Sequence, residues 1–385
     1  MTEDWAGRAR RLADHLAAAG ELHDPAWLTA VASVPRHVLV PRYHEQAGDG
    51  TWRTVRAGDP GYWDAVYSDR TLTIALAEVR TAAGVRQVPV SSSTRPGLLV
   101  RLLEETGLSP GQRVLEVGTG SGYGAGLLSQ RLGGAGVFSV DLRPDLVDAA
   151  RERLAACDLR PTVVAGDGAL GLAEHAPFDR LVATCAVPAV PTAWIEQTPP
   201  GGRVLTAIQG SLYAGNTALL HRVGNRAEGR FLATWAPFPP IRHTPEPPAA
   251  PPEPRDTLPP VEWETSVGPG LLAEPVLAFF AQLHLPAGTT RHSAVWEDGA
   301  TATRLAAPDG AWCEVADAAD PEGRHLVLEA GPDTLWARVE DAHLRWRLAG
   351  SPGWQRFGVT AAAGVQYVWL DDPAGGGSWP LPGPD

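Results

Sequence analysis

The chain of 385 residues contains no lysine, so all 32 of its basic side chains are arginine. That excludes a Schiff base with a carbonyl substrate and a lysine acting as general base. Cysteine is scarce too. Cys157, Cys185 and Cys313 are odd in number and far apart, which makes neither a disulfide framework nor a metal knuckle and fits a reducing compartment. The 11 histidines show no metal-ligand spacing, so no metal is expected. No apolar run approaches the roughly 18 residues that suggest a membrane span. The start Met1-Thr-Glu-Asp-Trp5 is acidic and leads into an amphipathic stretch rather than a signal segment. A net charge of −12 at pH 7 repels nucleic acid and anionic membranes. These absences predict a cytoplasmic protein with neither as its partner.

What is present is a globular chain, 44% hydrophobic, whose length suggests more than one core. Trp5, Ala9, Leu12, Ala13, Leu16 and Ala17 recur at helical spacing and predict an opening helix. From 25 to 95 the pattern is irregular and rich in Gly, Pro and aromatics. Residues 1–95 therefore suggest a cap of helices and loops on the substrate side. Between 96 and 236 strands alternate with helices. Val114–Val117, Val137–Val140, Thr162–Val164, Phe178–Ala183 and Arg203–Ile208 are the strands, and helices are expected over Leu98–Leu108, Ala125–Leu132, Asp145–Ala156 and Pro191–Gln197. That rhythm predicts an α/β, Rossmann-like parallel sheet covered on both faces.

Residues 236–260 hold 11 of the 36 prolines, and 237–260 is expected to be a stiff linker. Residues 261–385 then form a smaller α+β or mostly β accessory domain. Its strands are expected at Ser293–Trp296, Trp312–Val315, His325–Glu329, Leu335–Val339 and Tyr367–Leu370, with one helix near Glu274–Leu283. The run Gly375-Gly-Gly-Ser-Trp-Pro380 suggests a loose tail. Eight of the 14 tryptophans fall in this domain, where a packed core is the plain expectation and a peptide groove the alternative.

The most informative segment is Arg113-Val-Leu-Glu116-Val-Gly118-Thr119-Gly120-Ser-Gly122-Tyr123. A strand runs into a glycine-rich turn and a helix follows, because a side chain there would block a ligand lying against the backbone. Alone this also satisfies a dinucleotide fingerprint. Three acids decide between them. Glu116, two residues before the first glycine, would repel a pyrophosphate but suits a cationic sulfonium and its amino group. Asp141, followed by Leu142, ends the next strand and is placed for two ribose hydroxyls. Asp167, within Gly166-Asp-Gly168, follows the third strand, where a carboxylate can take the exocyclic amine of adenine. Glycines, ribose acid and adenine acid in that order resemble the class I methyltransferases, which implies S-adenosylmethionine as cofactor.

Val34-Pro-Arg-His-Val-Leu-Val-Pro41, Tyr67-Ser-Asp69-Arg70, Ser91-Ser92-Ser93-Thr94-Arg95-Pro96, Ala186-Val187-Pro188-Ala-Val-Pro191 and Gln197-Thr-Pro-Pro-Gly-Gly-Arg203 resemble the protein-L-isoaspartate O-methyltransferases over about 25–236. The resemblance implies that the hydroxyl one residue before the X-Pro pair, here Thr94, touches the substrate carboxylate near the methyl donor, with Ser92 and Ser93 beside it. It also makes Val187 and Pro188 substrate-side candidates. Threonine departs from the family's serine, keeping the hydroxyl and adding a methyl group. Extra residues between Asp69 and Ser91 are a second departure. Arg95 is a candidate ligand for an acidic substrate; its plain alternative is a solvated surface arginine. The serine run likewise has a plain alternative, as a cap on the helix starting near Pro96. Cys185 is expected to be a small buried filler rather than a nucleophile.

Length, the serine cluster and the tryptophan-rich extension look most like the subgroup found with ATP-grasp maturases of ribosomally made peptides. That resemblance implies methylation of an aspartate in a modified precursor peptide, leading to succinimide or isoaspartate, with an ATP-grasp ligase as functional partner. The alternative is repair methylation of isoaspartyl proteins. An alternative of another class is a non-catalytic scaffold that binds the cofactor and clamps a partner enzyme.

Overall fold

The computed structural model describes residues 4–81, 84–246 and 259–383. The opening helix forms as expected, α1 (Trp5–Ala18), with Asp4 accepting from the Gly7 amide at its start. Helices α2 (Pro25–Ser33) and α3 (Arg36–Leu39) follow. The next stretch corrects the expectation of helices and loops. Strands β1 (Arg42–Gln46) and β2 (Trp52–Arg56), the short helix α4 (Tyr62–Val66), and two ten-residue strands, β3 (Leu72–Thr81) and β4 (Gly84–Ser93), build a four-stranded sheet in the order β2-β1-β3-β4. The β3–β4 ribbon is antiparallel, with register shifts near Ala75, and most of its length is only half-buried. Burial along these strands does not alternate regularly, so the period-2 signal of a half-buried sheet is weak in the sequence. The residues that lengthen the stretch from Asp69 to Ser91 are this ribbon.

The α/β alternation is as expected. Helix α5 (Pro96–Glu105) leads into β5 (Val114–Val117), α6 (Tyr123–Leu132), β6 (Val137–Asp141), α7 (Pro144–Ala156), β7 (Thr162–Ala165), β8 (Arg180–Val187), α8 (Thr192–Glu196) and β9 (Arg203–Gln209). Strands β7, β6, β5, β8 and β9 lie side by side in parallel, so the loops at their C-terminal ends converge on one edge. Antiparallel β10 (Gly215–Val223) and β11 (Arg226–Phe231) extend this sheet.

Beyond the proline-rich stretch, β12 (Val261–Thr265), α9 (Pro275–Gln282), β13 (Thr290–Val295), β14 (Thr301–Ala306), β15 (Trp312–Ala316) and β16 (His325–Ala330) form a five-stranded antiparallel sheet in the order β12-β16-β15-β14-β13. Leu335–Val339 is not a strand but the start of α10 (Leu335–Leu348). Its buried Leu335, Trp336, Val339 and Ala342 follow helical spacing, which a five-residue window is too short to separate from a strand. The chain then returns to the central sheet through β17 (Phe357–Ala362), β18 (Val365–Leu370) and β19 (Ser378–Pro380), which completes ten strands. The loose tail expected at 375–380 is thus corrected at its end, since Ser378–Pro380 pairs with β18.

The division at the prolines is therefore one of chain, not of core. Phe231 of β11 packs edge-to-face on Phe279, ring centroids 5.2 Å apart, and 5.5 Å from Trp354, and one apolar cluster runs from Leu115 to Val368. The C-terminal tryptophans mostly serve this core; Trp336, Trp354 and Trp369 are buried. Among the described residues no helix is long and apolar enough to cross a membrane, and no group of His, Cys, Asp and Glu is placed to hold a metal ion.

Candidate functional site

The parallel strand ends and the serine end of β4 face each other across a cleft of about 250 Å³. Its floor is Val117, Gly118, Gly120, Asp141, Leu142 and Gly168; Ser91, Ser92, Thr94 and Thr71 stand opposite. A small chamber adjoins it, lined by Ser92, Ser93, Thr94, Glu116, Thr119 and Tyr123, and Ser92, Thr94 and Gly118 border both spaces.

Gly118 and Gly120 set the floor. Gly118 has φ +100°, and a Cβ there would lie 2.5 Å from Thr184 Oγ1; at Gly120, with φ +50°, a Cβ would meet the Ser92 carbonyl at 3.3 Å. The missing side chain at Gly118 lets the loop pack against Thr184 of β8, and the one at Gly120 lets it pass close beneath the serine strand. Gly122 does not line the cleft; its left-handed backbone opens α6. Asp141 Oδ2 accepts from the Gly120 amide at 2.8 Å and Oδ1 from the Arg143 amide at 3.2 Å, which fixes the carboxylate at the cleft wall.

Glu116 is 3% exposed, and Ser139 Oγ donates to its Oε2 at 2.6 Å, with Thr119 Oγ1 another 2.6 Å beyond. Burial pushes its carboxyl up to about 8, with Asp141 adding to the rise and the Ser139 hydrogen bond opposing it. Alone, this acid holds a proton at neutral pH; a cation in the chamber would ionise it. The Tyr123 hydroxyl, also buried at the chamber, has no hydrogen-bond partner among the described residues. Among the described residues the buried carboxyl has no counter-cation and the hydroxyl no partner. The chamber holds only about 20 Å³, so a sulfonium amino acid would lie in the adjoining cleft and meet this polar corner with its charged end.

Arg36, fully buried, organises the opposite wall. It donates to the carbonyls of Val66, Ser68, Arg70 and Thr94 and to Ser93 Oγ, and its guanidinium lies 5.2 Å over the Tyr123 ring. The motif Val34–Pro41 thus carries a keystone for the hydroxyl cluster. Ser92, Ser93 and Thr94 are brought together as expected, at the end of a paired strand. They do not cap α5, whose N-cap residue Arg95 makes no side-chain capping bond.

Four further candidates fall elsewhere. Arg95 does not line the cleft; it pairs with Asp69 at 2.6 Å and Glu21 at 3.6 Å, while Asp69 also accepts from the Gly97 amide at 2.7 Å. Its neighbour Thr94 is at the cleft, but Arg95 opens α5 as its N-cap residue and its side chain goes to Asp69 and Glu21 instead. Val187 is buried in the sheet core, and Pro188 faces a second cavity. Asp167 borders the cleft only through its neighbour Gly168. Its Oδ1 accepts from the Ala169 amide and its Oδ2 lies 2.9 Å from His243 Nδ1. Cys185 lines the cleft, but burial pushes its thiol up to about 12, so it is no thiolate nucleophile at neutral pH.

The stretch expected to be a linker supplies the part the sequence hid. Pro237–Arg242 lines the cleft as a strap: the Ala186 amide donates to the Pro239 carbonyl at 2.8 Å and the Ile241 amide to the Ala186 carbonyl at 2.7 Å. Arg242 donates to the Val90 carbonyl at 3.0 Å. The strap therefore joins β8, the ribbon and, through His243, the third strand's loop. The remainder, 247–258, lies outside the described residues. One signal was available: Pro237-Phe-Pro-Pro-Ile241 has large apolar residues among its prolines, and the stretch after it has none before Leu258.

Comparison with known proteins agrees with this geometry. Residues 59–232 match the family model described as protein-L-isoaspartate(D-aspartate) O-methyltransferase. A protein-L-isoaspartate O-methyltransferase of Methylorubrum populi is 34% identical over 203 residues, 53% of this chain and 80% of that protein. One from Aeropyrum pernix is 33% identical over 201 residues, and there the chain spans 65% of the relative's length. A solved protein-L-isoaspartate O-methyltransferase shares the fold with a TM-score of 0.54 at 20% identity, over 94% of this chain and 99% of that one. The shared fold thus takes in the C-terminal region, beyond the segment where sequence resemblance ends.

Proposed function

The chain belongs to the protein-L-isoaspartate O-methyltransferase family, and from that premise we propose that it methylates the free carboxylate of isoaspartyl residues in proteins or peptides. The cofactor is S-adenosylmethionine, which supplies an electrophilic methyl group on a cationic sulfur. A substrate carboxylate oxygen forms the new C–O bond as the S–CH3 bond breaks, and the electron pair stays on sulfur. The nucleophile is already ionised at neutral pH, so no strong base is required. The observation that carries the reading is the shared boundary of the two spaces: Ser92 and Thr94 border both the chamber at Glu116 and the open cleft. In this reading Ser92, Ser93 and Thr94 orient the acceptor without neutralising it. Glu116 meets the cationic end of the cofactor, Asp141 the ribose, and the strap keeps the site dry.

A second reading is methylation of an aspartate in a ribosomally made peptide already modified by an ATP-grasp ligase. Thr94 favours it, because the added methyl group narrows the space beside the acceptor and selects among carboxylates. The family match supports the isoaspartyl reading more directly. Mass spectrometry of an isoaspartyl peptide and of a cyclised aspartyl precursor, each incubated with enzyme and S-adenosylmethionine, separates them. A gain of one methyl on the isoaspartyl peptide is expected. Modification of the precursor alone selects the second reading, and cofactor binding with no S-adenosylhomocysteine formed from either would make the protein a scaffold.

A further inference from the structure

Across the strap from the cleft lies a larger cavity of about 880 Å³, and Pro240 and Ile241 form walls of both. Its other walls are the turn at Gln209–Tyr213, the residues from the end of α9 to the start of β13, and Pro380–Pro382 at the C-terminal strand. Both the central sheet and the C-terminal region are thus needed to enclose it.

Three properties define what fits. The volume is near the top of the usual range for ligand sites, about 300–1,000 Å³, and exceeds what one side chain fills. In a chain with 44 aspartates and glutamates, no acid among the described residues lines this cavity, whereas Arg291, His292 and His243 do. Among apolar walls, Gln209 donates through Nε2 to the Tyr213 carbonyl at 3.0 Å, and its Oε1 is buried with no partner among the described residues. A buried acceptor of this kind calls for a donor from the ligand, and a peptide amide is one.

We infer that this cavity is a subsite for the flank of the substrate peptide, holding an extended, apolar-to-acidic stretch next to the residue methylated in the cleft. The inference rests on the peptide-carboxylate reading above and adds where sequence preference arises. Continuity through the strap fixes the occupant: Pro240 and Ile241 wall both spaces, so a chain whose carboxylate lies in the cleft can run along them into the larger one. Arg291 and His292 in its wall, with no carboxylate among the described lining residues, make the path suitable for a peptide that an acidic protein would otherwise repel.

The test uses the full chain and two isoaspartyl peptides, one of about five residues and one extended by an apolar, acidic flank. Thr290→Trp obstructs the cavity, and Tyr213→Ala removes an exposed wall residue. The expected result is a KM about tenfold higher for the long peptide, with the short peptide and S-adenosylmethionine affinity unchanged. Tenfold corresponds to about 1.4 kcal/mol. Equal effects on both peptides, or none, overturn the inference. So does a shift of oligomeric state in the variants with both peptides alike, which would make the cavity a contact between copies. Fluorescence anisotropy of a labelled long peptide separates this from failure of the functional reading. Binding that the variants weaken, with no methyl transfer by the wild type, leaves the subsite standing and sinks the reading. Methyl transfer that no variant alters does the reverse.

Discussion

The two sides of the cleft are built in opposite ways. The floor consists of loops that follow consecutive parallel strands, and its key contacts join neighbouring strands of one βαβ unit: Asp141 holds the Gly120 amide, and Ser139 holds Glu116. The roof is assembled from the end of β4 and a strap more than a hundred residues later; Arg242 joins the two, Arg36 ties the β4 end to the N-terminal segment, and Ile241 ties the strap to β8. A floor of this kind is fixed by backbone geometry and serves any ligand of one shape. A roof of this kind depends on distant side chains and can change its substrate without disturbing the floor.

The largest test of this contrast is Arg36→Ala. It removes the Arg36 donor from the buried Val66 carbonyl and the half-buried carbonyls of Arg70 and Thr94, whereas the Ser68 carbonyl keeps the Arg70 amide; a buried orphan costs about 1–3 kcal/mol. A loss of about 3 kcal/mol or more is expected in denaturant unfolding, with activity lost even where the protein remains folded. Loss of stability without loss of activity in the folded fraction would detach Arg36 from the roof.

Next comes Asp141→Ala, which removes a floor contact alone. Cofactor affinity should fall by about tenfold to a hundredfold, the effect of one or two charge-assisted hydrogen bonds. Peptide binding measured with S-adenosylhomocysteine at saturation should stay unchanged. Equal loss on both sides would mean that floor and roof are one unit.

Glu116 offers a smaller, pH-dependent effect. Its folded carboxyl lies at about 8 against an ordinary value of 4.5, so between these the folded state binds a proton that the unfolded chain has released. Its contribution is therefore present at low pH and lost as pH rises through about 8. A cationic cofactor reverses the preference, so binding should release a proton and tighten as pH rises from about 6 to about 8. Titration calorimetry in buffers of different ionisation enthalpy measures this, and Glu116→Gln should abolish the proton release.

The smallest effect is expected at Arg95. Its ion pairs with Asp69 and Glu21 are partly solvated, so Arg95→Gln should cost about 1 kcal/mol or less and leave the peptide KM unchanged. A large rise in KM would restore Arg95 as a substrate ligand.

The sequence by itself determined the floor. Glycines, Glu116 and Asp141 are tied to strand ends by local spacing, and hydrophobic periodicity of strands and helices gives the sheet that carries them. The hydroxyl cluster was legible as well, because Ser92, Ser93 and Thr94 are adjacent in the chain. Only the tertiary structure decided which neighbours of these residues face the cleft. Arg95 turns out to Asp69, Pro188 faces another cavity, and Asp167 meets His243. It also decided that prolines 237, 239 and 240 form a strap and that 357–380 completes the central sheet. The physical reason is common to both: proline excludes helix and central strand without saying what an extended chain lies against, and a strand's partner is set by burial of Phe231, Phe279 and Phe357 against one another, which sequence spacing does not encode.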